Sequence, residues 1–126
     1  MVKKRLAPKL PISFSPVNEA DWADGEIYQA ELSDETVKIT ERTLFMSCHL
    51  RNVNFKLFPE AALEFTDCLF EKCDLSNLKF SGTGFYRCIF KDCKLLGTDF
   101  TNCHLQDIQF ASNLMHYANF SSSRLK

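Results

Sequence analysis

The stretch FTDCLFEKCDLSNLKF, residues 65–80, contains two cysteines five residues apart, Cys68 and Cys73. The stretch that follows repeats the spacing with Cys88 and Cys93. Cysteines at short, regular spacing are typical of metal ligands, of disulfide partners or of small buried side chains. The rest of the sequence decides among these roles, because large apolar residues recur with the same spacing of five.

The apolar residues recur at every fifth position from residue 45 to residue 125, and only Glu60 breaks the series. A second series, mostly of small residues, lies two positions earlier and includes all six cysteines. A period of five fits neither an α-helix nor a single strand. The chain must therefore wind into a coil of short straight sides joined by turns. The predicted inward residues are Phe45, Leu50, Phe55, Phe65, Phe70, Leu75, Phe80, Phe85, Phe90, Leu95, Phe100, Leu105, Phe110, Met115, Phe120 and Leu125, with Cys48, Cys68, Cys73, Cys88, Cys93 and Cys103.

The charged residues predict the length of one coil. Residues one coil apart lie about 4.8 Å from each other in stacked strands, where opposite charges help and like charges hurt. From residue 41 onward, an offset of 20 gives seven opposite pairs and no like pair, whereas offsets of 15 and 25 give equal numbers of each. A coil therefore has four sides of five residues. The pairs are Arg51/Glu71, Glu71/Lys91, Asp67/Arg87, Arg87/Asp107, Lys72/Asp92, Asp74/Lys94 and Lys79/Asp99.

With this coil length, the cysteines stack in columns inside the protein. Cys48, Cys68 and Cys88 follow one another at intervals of one coil, and Cys73 and Cys93 form the next column. We interpret them as compact hydrophobic groups that need no polar partner, with no metal and no cofactor. Zinc would need four converging ligands, and parallel columns point their sulfurs the same way. A disulfide between stacked neighbours is sterically allowed, but the absence of a secretory signal favours a reducing cytosol.

Four segments resemble the pentapeptide-repeat motif A-(D/N)-L-x-x: CDLSN at 73–77, TDFTN at 98–102, CHLQD at 103–107 and ANFSS at 118–122. The resemblance to the pentapeptide-repeat family covers about residues 43–126. It implies an all-β fold, a right-handed quadrilateral parallel β-helix of about four to five coils, with the central Leu or Phe and the small residue two before it pointing inward.

The remaining sequence predicts irregular structure. Residues 1–26, which include three prolines, are predicted to form an extended N-terminal segment or cap, and residues 27–126 the β-helix. Trp22 and Tyr28 are candidates to cover the open N-terminal end of the core, because solenoids need caps. Pro59 and Glu60 do not fit the inward column and predict a local bulge or helical turn.

No catalytic or cofactor-binding group emerges from the sequence. His49, His104 and His116 have no nucleophile in an obvious pairing with them, and Gly82 and Gly84 lack the further glycine and the helix of a dinucleotide loop. The formal net charge is −1 and the pI about 6.3, so neither direct nucleic-acid binding nor membrane binding is expected. The sequence predicts a cytoplasmic protein that is not an enzyme.

The sequence favours a protein-binding or scaffold module whose partner it does not name. The alternative, implied by the resemblance, is a quinolone-resistance-like mimic of DNA that inhibits or protects DNA gyrase or topoisomerase IV. Such a mimic needs an acidic rod, whereas residues 61–126 carry seven acidic and seven basic side chains. The resemblance also favours a homodimer joined end to end at residues 105–126, with Phe120 and Leu125 at its edge. The alternative is a longer natural chain that covers this end.

Overall fold

The computed structural model describes residues 6–17, 19–57, 62–121 and 123–125. Apart from one short helix, the regular elements of these residues are strands. The predicted irregularity at Pro59 and Glu60 lies outside the described residues, as does the side chain of Leu125. In chain order the elements are α1 (Glu19–Asp24), β1 (Glu26–Tyr28), β2 (Glu31–Ser33), β3 (Thr36–Ile39), β4 (Thr43–Met46), β5 (His49–Arg51), β6 (Asn54–Leu57), β7 (Leu63–Thr66), β8 (Leu69–Glu71), β9 (Gly84–Lys91), β10 (His104–Ala111) and β11 (Arg124–Leu125).

The strands form a parallel β-solenoid, as the period of five predicts. Each pairs in parallel with the strand one coil further along the chain, and from β4 onward the partners follow the predicted coil length, for example Phe45 with Phe65 and Phe65 with Phe85. We name the sides in chain order. Side 1 contains β1, β4, β7, β11 and the first halves of β9 and β10, and side 2 contains β2, β5, β8 and the second halves. Side 3 contains β3 and β6, and sides 3 and 4 continue as single bridges such as Asp74–Lys94 and Lys79–Asp99.

The first coil is two residues shorter than the others. Ile27 pairs with Phe45, Leu32 with Leu50 and Val37 with Phe55, whereas Phe45 in the next coil pairs with Phe65. The first three sides of this coil keep the spacing of five, so the two missing residues belong to its fourth side. This explains why the apolar residues upstream of residue 43 are out of phase with the later repeats.

The corners of the solenoid adopt a left-handed backbone conformation. The residue two positions after the central one has a positive φ at Ser47, at Asn52 and at every fifth residue from Asp67 to Tyr117, between 51° and 64° for the non-glycine residues. A left-handed residue costs free energy unless it is Gly, Asn or Asp, and many of these corners carry Asn or Asp. Gly82 and Gly97 occupy two others. These corners turn the chain every five residues and so account for the period.

Stacked phenylalanine rings fill the centre of the solenoid. Phe45, Phe65 and Phe85 stack with ring centroids 4.9 and 5.2 Å apart, and Phe70 and Phe90 stack at 4.6 Å. Parallel coils bring identical residues into the same place, where offset rings attract one another. The central residues from Phe45 to Leu105, except position 60, are buried, as are all six cysteines.

The last central residues are less buried than the sequence predicts. Phe110 is 37% exposed, which differs from its predicted place in the core, and Met115 and Phe120 are only partly buried. Phe110 stacks on Phe90 below it at 5.3 Å, but it is the last member of its column. One ring face therefore lacks a stacking partner among the described residues.

The N-terminal residues cover two parts of the solenoid. Trp22, in α1, packs edge-on against Phe45 with ring centroids 6.1 Å apart and so contacts the core at the second coil. Tyr28 does not share this role, because its side chain points outward and is 51% exposed. Residues 6–17 lie along the outside of the coils and are anchored to Asp67 and Asp107. We call these residues the strap.

Candidate protein-binding faces

Side 1 carries a column of outward-facing residues that contains no charge. It consists of Tyr28, Met46, Thr66, Tyr86 and Gln106, which are paired in register one coil apart. Tyr28 is 51% exposed and Met46 36%. Tyrosine and methionine are enriched in protein interfaces, where charged residues are depleted from the core. A flat sheet with such a column has the composition of a protein-binding surface.

A shallow depression lies beside this column. Its volume is about 170 Å³, and its lining includes Arg42, Leu44, Glu64, Tyr86 and His104. Gly84 also lines the depression, and a Cβ atom there would lie 2.7 Å from Cε2 of Tyr86. The Tyr86 ring therefore lies directly over residue 84, and any side chain at that position would displace the ring. The site offers a partner one acidic, one basic and one aromatic group within a small area.

The charges on side 2 and its corner compensate one another. The Arg87 guanidinium donates two hydrogen bonds to the Asp67 carboxylate, at 2.6 and 2.9 Å, which is the bidentate geometry of a strong ion pair. His49 Nε2 lies 3.1 Å from Glu71 Oε1, and Lys91 Nζ lies 4.0 Å from Glu71 Oε2. The Asp67–Arg87 and Glu71–Lys91 contacts join residues 20 apart, as the coil length predicts, and the His49–Glu71 contact joins residues 22 apart. They give side 2 an alternation of charge instead of one sign.

The carboxyl groups in these columns are stabilised in their charged form. Burial disfavours the ionised Asp67, but hydrogen bonds from Arg87 and from the Lys9 backbone N–H outweigh it and hold the pKa of that carboxyl below its usual range. Hydrogen bonds from Ser76 lower the pKa of Asp74, and hydrogen bonds from Thr101 lower that of Asp99. Their ladder partners Lys94 and Lys79 contribute less. The local turn, more than the ion pair, explains the acidic residue at these two positions.

The cysteine columns are internal and shielded from solvent. All six cysteines are free, and each sulfur lies within hydrogen-bonding distance of a backbone carbonyl one coil below, such as 3.4 Å from Cys88 to Phe65. Burial raises the pKa of Cys68 well above its ordinary value and that of Cys103 to about 11. Neutral thiols such as these two are poor nucleophiles and poor metal ligands. Hydrogen bonds with Cys68 and Cys93 instead lower the pKa of Cys48 and Cys73.

The described part of the chain offers little for catalysis. Within it, no three His, Cys, Asp or Glu side chains are grouped so that they could hold a metal ion. No helix among these residues is long and apolar enough to span a membrane. The three histidines considered in the sequence analysis lie on different sides: His49 is on side 2, whereas His104 and His116 are exposed on sides 1 and 3. Gly82 forms a left-handed corner and Gly84 lies under Tyr86.

The C-terminal end of the solenoid exposes apolar side chains. Leu114 is 50% exposed and Tyr117 93%, in addition to Phe110. Phe120 stacks on Phe100 at 5.0 Å and lies 6.0 Å from Phe110 in an edge-to-face contact. The predicted dimer edge therefore includes a partly buried aromatic ring and a rim of exposed apolar residues.

A comparison with protein-family models matches residues 63–126 to the pentapeptide repeat region. The match covers half of the chain and coincides with the coils in which the period of five and the left-handed corners are regular. The chain belongs to the pentapeptide-repeat family. The coils before residue 63 and the strap extend this pentapeptide-repeat protein beyond the matched region.

Solved structures similar to this pentapeptide-repeat protein include two trypsin-treated variants of QnrB1, a plasmid-mediated fluoroquinolone resistance protein. One has 16% sequence identity over 82% of this chain and 72% of that chain, with a TM-score of 0.35. The other has 15% identity over 81% and 73%, with a TM-score of 0.28. A comparison with curated proteins found no match.

Sequence reasoning missed two features of the surface. It treated Asp67 and Asp107 as ion-pair partners of Arg87 alone and did not predict that both also accept backbone N–H groups of the strap. It also gave no role to the uncharged column on side 1, although an offset of 20 from Thr66 leads to Tyr86 and Gln106. A search for uncharged outward columns, made in the same way as the search for charged pairs, would have found it.

Proposed function

We propose that this pentapeptide-repeat protein is a non-enzymatic protein-binding module that docks a partner on side 1. The observation that carries the proposal is the uncharged column of Tyr28, Met46 and Tyr86, which lies on a flat sheet beside the depression at Gly84. Side chains of this kind bury a large apolar area at a small cost in conformational entropy. A rigid solenoid holds them in place before a partner arrives.

The test compares partner capture by the wild-type protein with capture by two matched double variants. Met46→Lys with Tyr86→Lys places two charges on side 1, and Asn54→Lys with Ser81→Lys places the same charges on exposed positions elsewhere. Immobilised wild-type protein and the control variant should retain a stoichiometric partner from a bacterial lysate, and the side-1 variant should lose it. Equal retention by all three proteins would rule out side 1 as the docking surface.

A second candidate is inhibition or protection of DNA gyrase or topoisomerase IV through mimicry of DNA, which the family resemblance implies. Mimicry requires a regular array of negative charge. The outward columns instead alternate in sign, as Asp67 and Arg87 illustrate with their bidentate pair. We therefore rank this candidate second. A supercoiling assay with purified gyrase, with and without a fluoroquinolone, tests it directly.

We also propose a homodimer joined through the C-terminal coil, at residues 105–126. The exposed side chains of Phe110, Leu114 and Tyr117 and the partly buried Phe120 support it, because burial of such residues drives association. A cytoplasmic location is proposed with it, since six unpaired cysteines suit a reducing compartment.

A further inference from the structure

The strap crosses the coils along one corner of the solenoid. The Leu6 backbone N–H donates to Asp107 Oδ1 at 3.4 Å, and the Lys9 N–H donates to Asp67 Oδ1 at 3.1 Å. The two aspartates are two coils apart, which corresponds to about 9.6 Å. Three residues of extended chain span about 10 Å, so the spacing of the two donors matches that of the two carboxylates.

The strap changes the environment of this corner. Corner residues elsewhere, such as Lys72, Asp92 and Asn102, are exposed. Asp67 and Asp107, at equivalent corners, are only 6% and 3% exposed. The strap backbone contacts both carboxylates, and Arg87 also contacts that of Asp67. This corner, between sides 1 and 2, is therefore a groove that already holds an extended polypeptide.

The charges of the groove select what it holds. Asp67 is neutralised by its bidentate pair with Arg87, whereas Asp107 receives only a longer-range attraction from the same guanidinium. The groove therefore retains negative charge. The strap complements it with Lys9, and residues 3–5 of the sequence are Lys-Lys-Arg. Electrostatic attraction therefore adds to the two backbone hydrogen bonds.

Residues 6–12 of the strap are lightly held. Leu6 is 54% exposed and Ile12 is fully exposed, so these apolar side chains gain little from the contact. Prolines at positions 8 and 11 keep residues 6–12 extended. The strap is held more firmly further along, because the Ser15 N–H donates to the Gln29 carbonyl at 2.7 Å and Val17 packs against the core. A segment with few buried apolar contacts opens at a lower free energy than the core.

We propose that the corner formed by Asp67, Arg87 and Asp107 is a docking groove for an extended basic polypeptide segment, and that the strap occupies it as an intramolecular competitor. The ligand presents two backbone N–H groups three residues apart to the two carboxylates, with lysine or arginine nearby. Residues 6–12 of the strap leave the groove while Ser15, Val17 and the solenoid stay in place, and a partner segment binds in the same way. This site is separate from the uncharged column on side 1 and does not depend on it.

A fluorescent peptide with the sequence of residues 1–12 tests the exchange in the full-length protein. Leu6→Pro with Lys9→Pro removes both N–H donors and the Lys9 charge from the protein's own strap but leaves the groove residues unchanged. This variant should bind the peptide at least tenfold more tightly than the wild type. Ile12→Pro, whose position contributes neither of these two bonds, should bind like the wild type. An affinity equal to that of the wild type in the double variant would overturn the proposal.

Two further measurements locate the contact and protect the test from misfolding. A peptide with proline at positions 6 and 9 should bind at least tenfold more weakly. Adding Asp107→Asn to the double variant should reduce its affinity for the wild-type peptide severalfold. In the unaltered protein, the amides of Leu6 and Lys9 should exchange with solvent at least a hundredfold faster than that of Ile89, which donates to Cys68 inside the solenoid. Strap amides that exchange as slowly as the Ile89 amide would show that the strap unfolds only with the core and would also overturn the proposal.

Discussion

The sulfur of Cys88 lies 3.4 Å from the carbonyl oxygen of Phe65, in the coil below. The same bond recurs from Cys68 to Phe45 and from Cys93 to Phe70, and Thr98 makes it to Leu75 with a hydroxyl. The small inward position is therefore a donor position. This corrects the interpretation of the cysteines as hydrophobic groups without a polar partner.

Cys88→Ser should be tolerated, because its hydroxyl replaces the thiol as donor to the Phe65 carbonyl. We expect a change in the free energy of unfolding within about 1 kcal/mol. Cys88→Ala, which removes the donor and leaves a small cavity, should cost about 1–3 kcal/mol. Urea denaturation of the three proteins measures the difference. A serine variant less stable than the alanine variant would contradict the donor role.

The native thiols should resist alkylation, because each of the six is at most 1% exposed. Burial raises the pKa of Cys103 to about 11, so at pH 8 only about one thiol in a thousand is ionised. Iodoacetamide followed by mass spectrometry should find the cysteines unmodified in the folded protein and modified in urea. Stoichiometric labelling of Cys103 in the native state at pH 8 would contradict its assigned environment.

Arg87→Asp should destabilise the protein by about 1–3 kcal/mol at pH 7, because it removes a bidentate hydrogen bond and brings a third carboxylate to Asp67 and Asp107. Asp67 has a lowered pKa in the folded state. Its contribution is therefore fully present above the pKa of the unfolded chain, near 4, and is lost as the pH falls through the folded pKa.

The penalty of Arg87→Asp should thus shrink as the pH falls below about 4, and it should be smaller in high salt. Thermal unfolding across pH 3–8 measures it. Lys79→Asp is the matched control, since Asp99 on its ladder is stabilised mainly by Thr101 and not by Lys79. An Arg87 variant no less stable than the control at pH 7 would argue against the ion pair.

The two glycine corners should respond differently to alanine. Gly82 has open space around its added Cβ, whereas a Cβ on Gly97 would lie 2.5 Å from Oδ1 of Asn77. Both substitutions carry the cost of a left-handed alanine, about 1 kcal/mol. Gly97→Ala should cost about 1 kcal/mol more, because the Asn77 side chain must move. Equal melting temperatures for the two variants would contradict this difference.

Trp22→Ala should lower the free energy of unfolding by about 2–4 kcal/mol, because it uncovers the edge of Phe45 in the second coil of the core. Tyr28→Ala, at an exposed position, should change it by less than about 0.5 kcal/mol. Denaturant unfolding measures both. Neither change should affect dimerisation, since both residues lie at the opposite end from the proposed interface.

Phe120→Glu should give monomers or aggregates, because a charge at the proposed dimer edge is costly to bury. The wild-type protein should be a dimer in multi-angle light scattering at tens of micromolar, and Trp22→Ala should keep that mass. A clean wild-type monomer at this concentration would exclude the dimer.

The fold could be predicted because the apolar residues and the charged residues both indicate the same repeating coil. The period of five sets the inward residues, and the charge pairs fix the coil at four sides. The burial of Phe110 could not be predicted in the same way, because it depends on what stacks above the last member of a column. The register of the first coil could not be predicted either, since its shortened fourth side moves Ile27 and Leu32 out of phase with the later repeats.

The candidate sites were less accessible to prediction because they depend on contacts between distant segments. Leu6 and Asp107 are 101 residues apart in sequence, and no periodicity connects a proline-rich terminus to a particular corner. The alternation of Asp67 and Arg87 suggested a self-sufficient ion pair. An aspartate accepts several hydrogen bonds at once, so the pairing of Asp67 with Arg87 gave no sign of the further bond from the strap.

The shortened first coil has a consequence for how chains of this kind vary in length. Its first three sides stay in register with the coil above although the fourth has lost two residues. Sides 1 to 3 therefore set the alignment of the surface columns, and side 4 absorbs changes in length. An insertion on side 4 would leave Tyr28, Met46 and Tyr86 in line, whereas a single residue inserted within β7 would turn every later column away from its neighbours. Loops that carry new specificity can be added to such a protein on one of its four sides without rebuilding the other three.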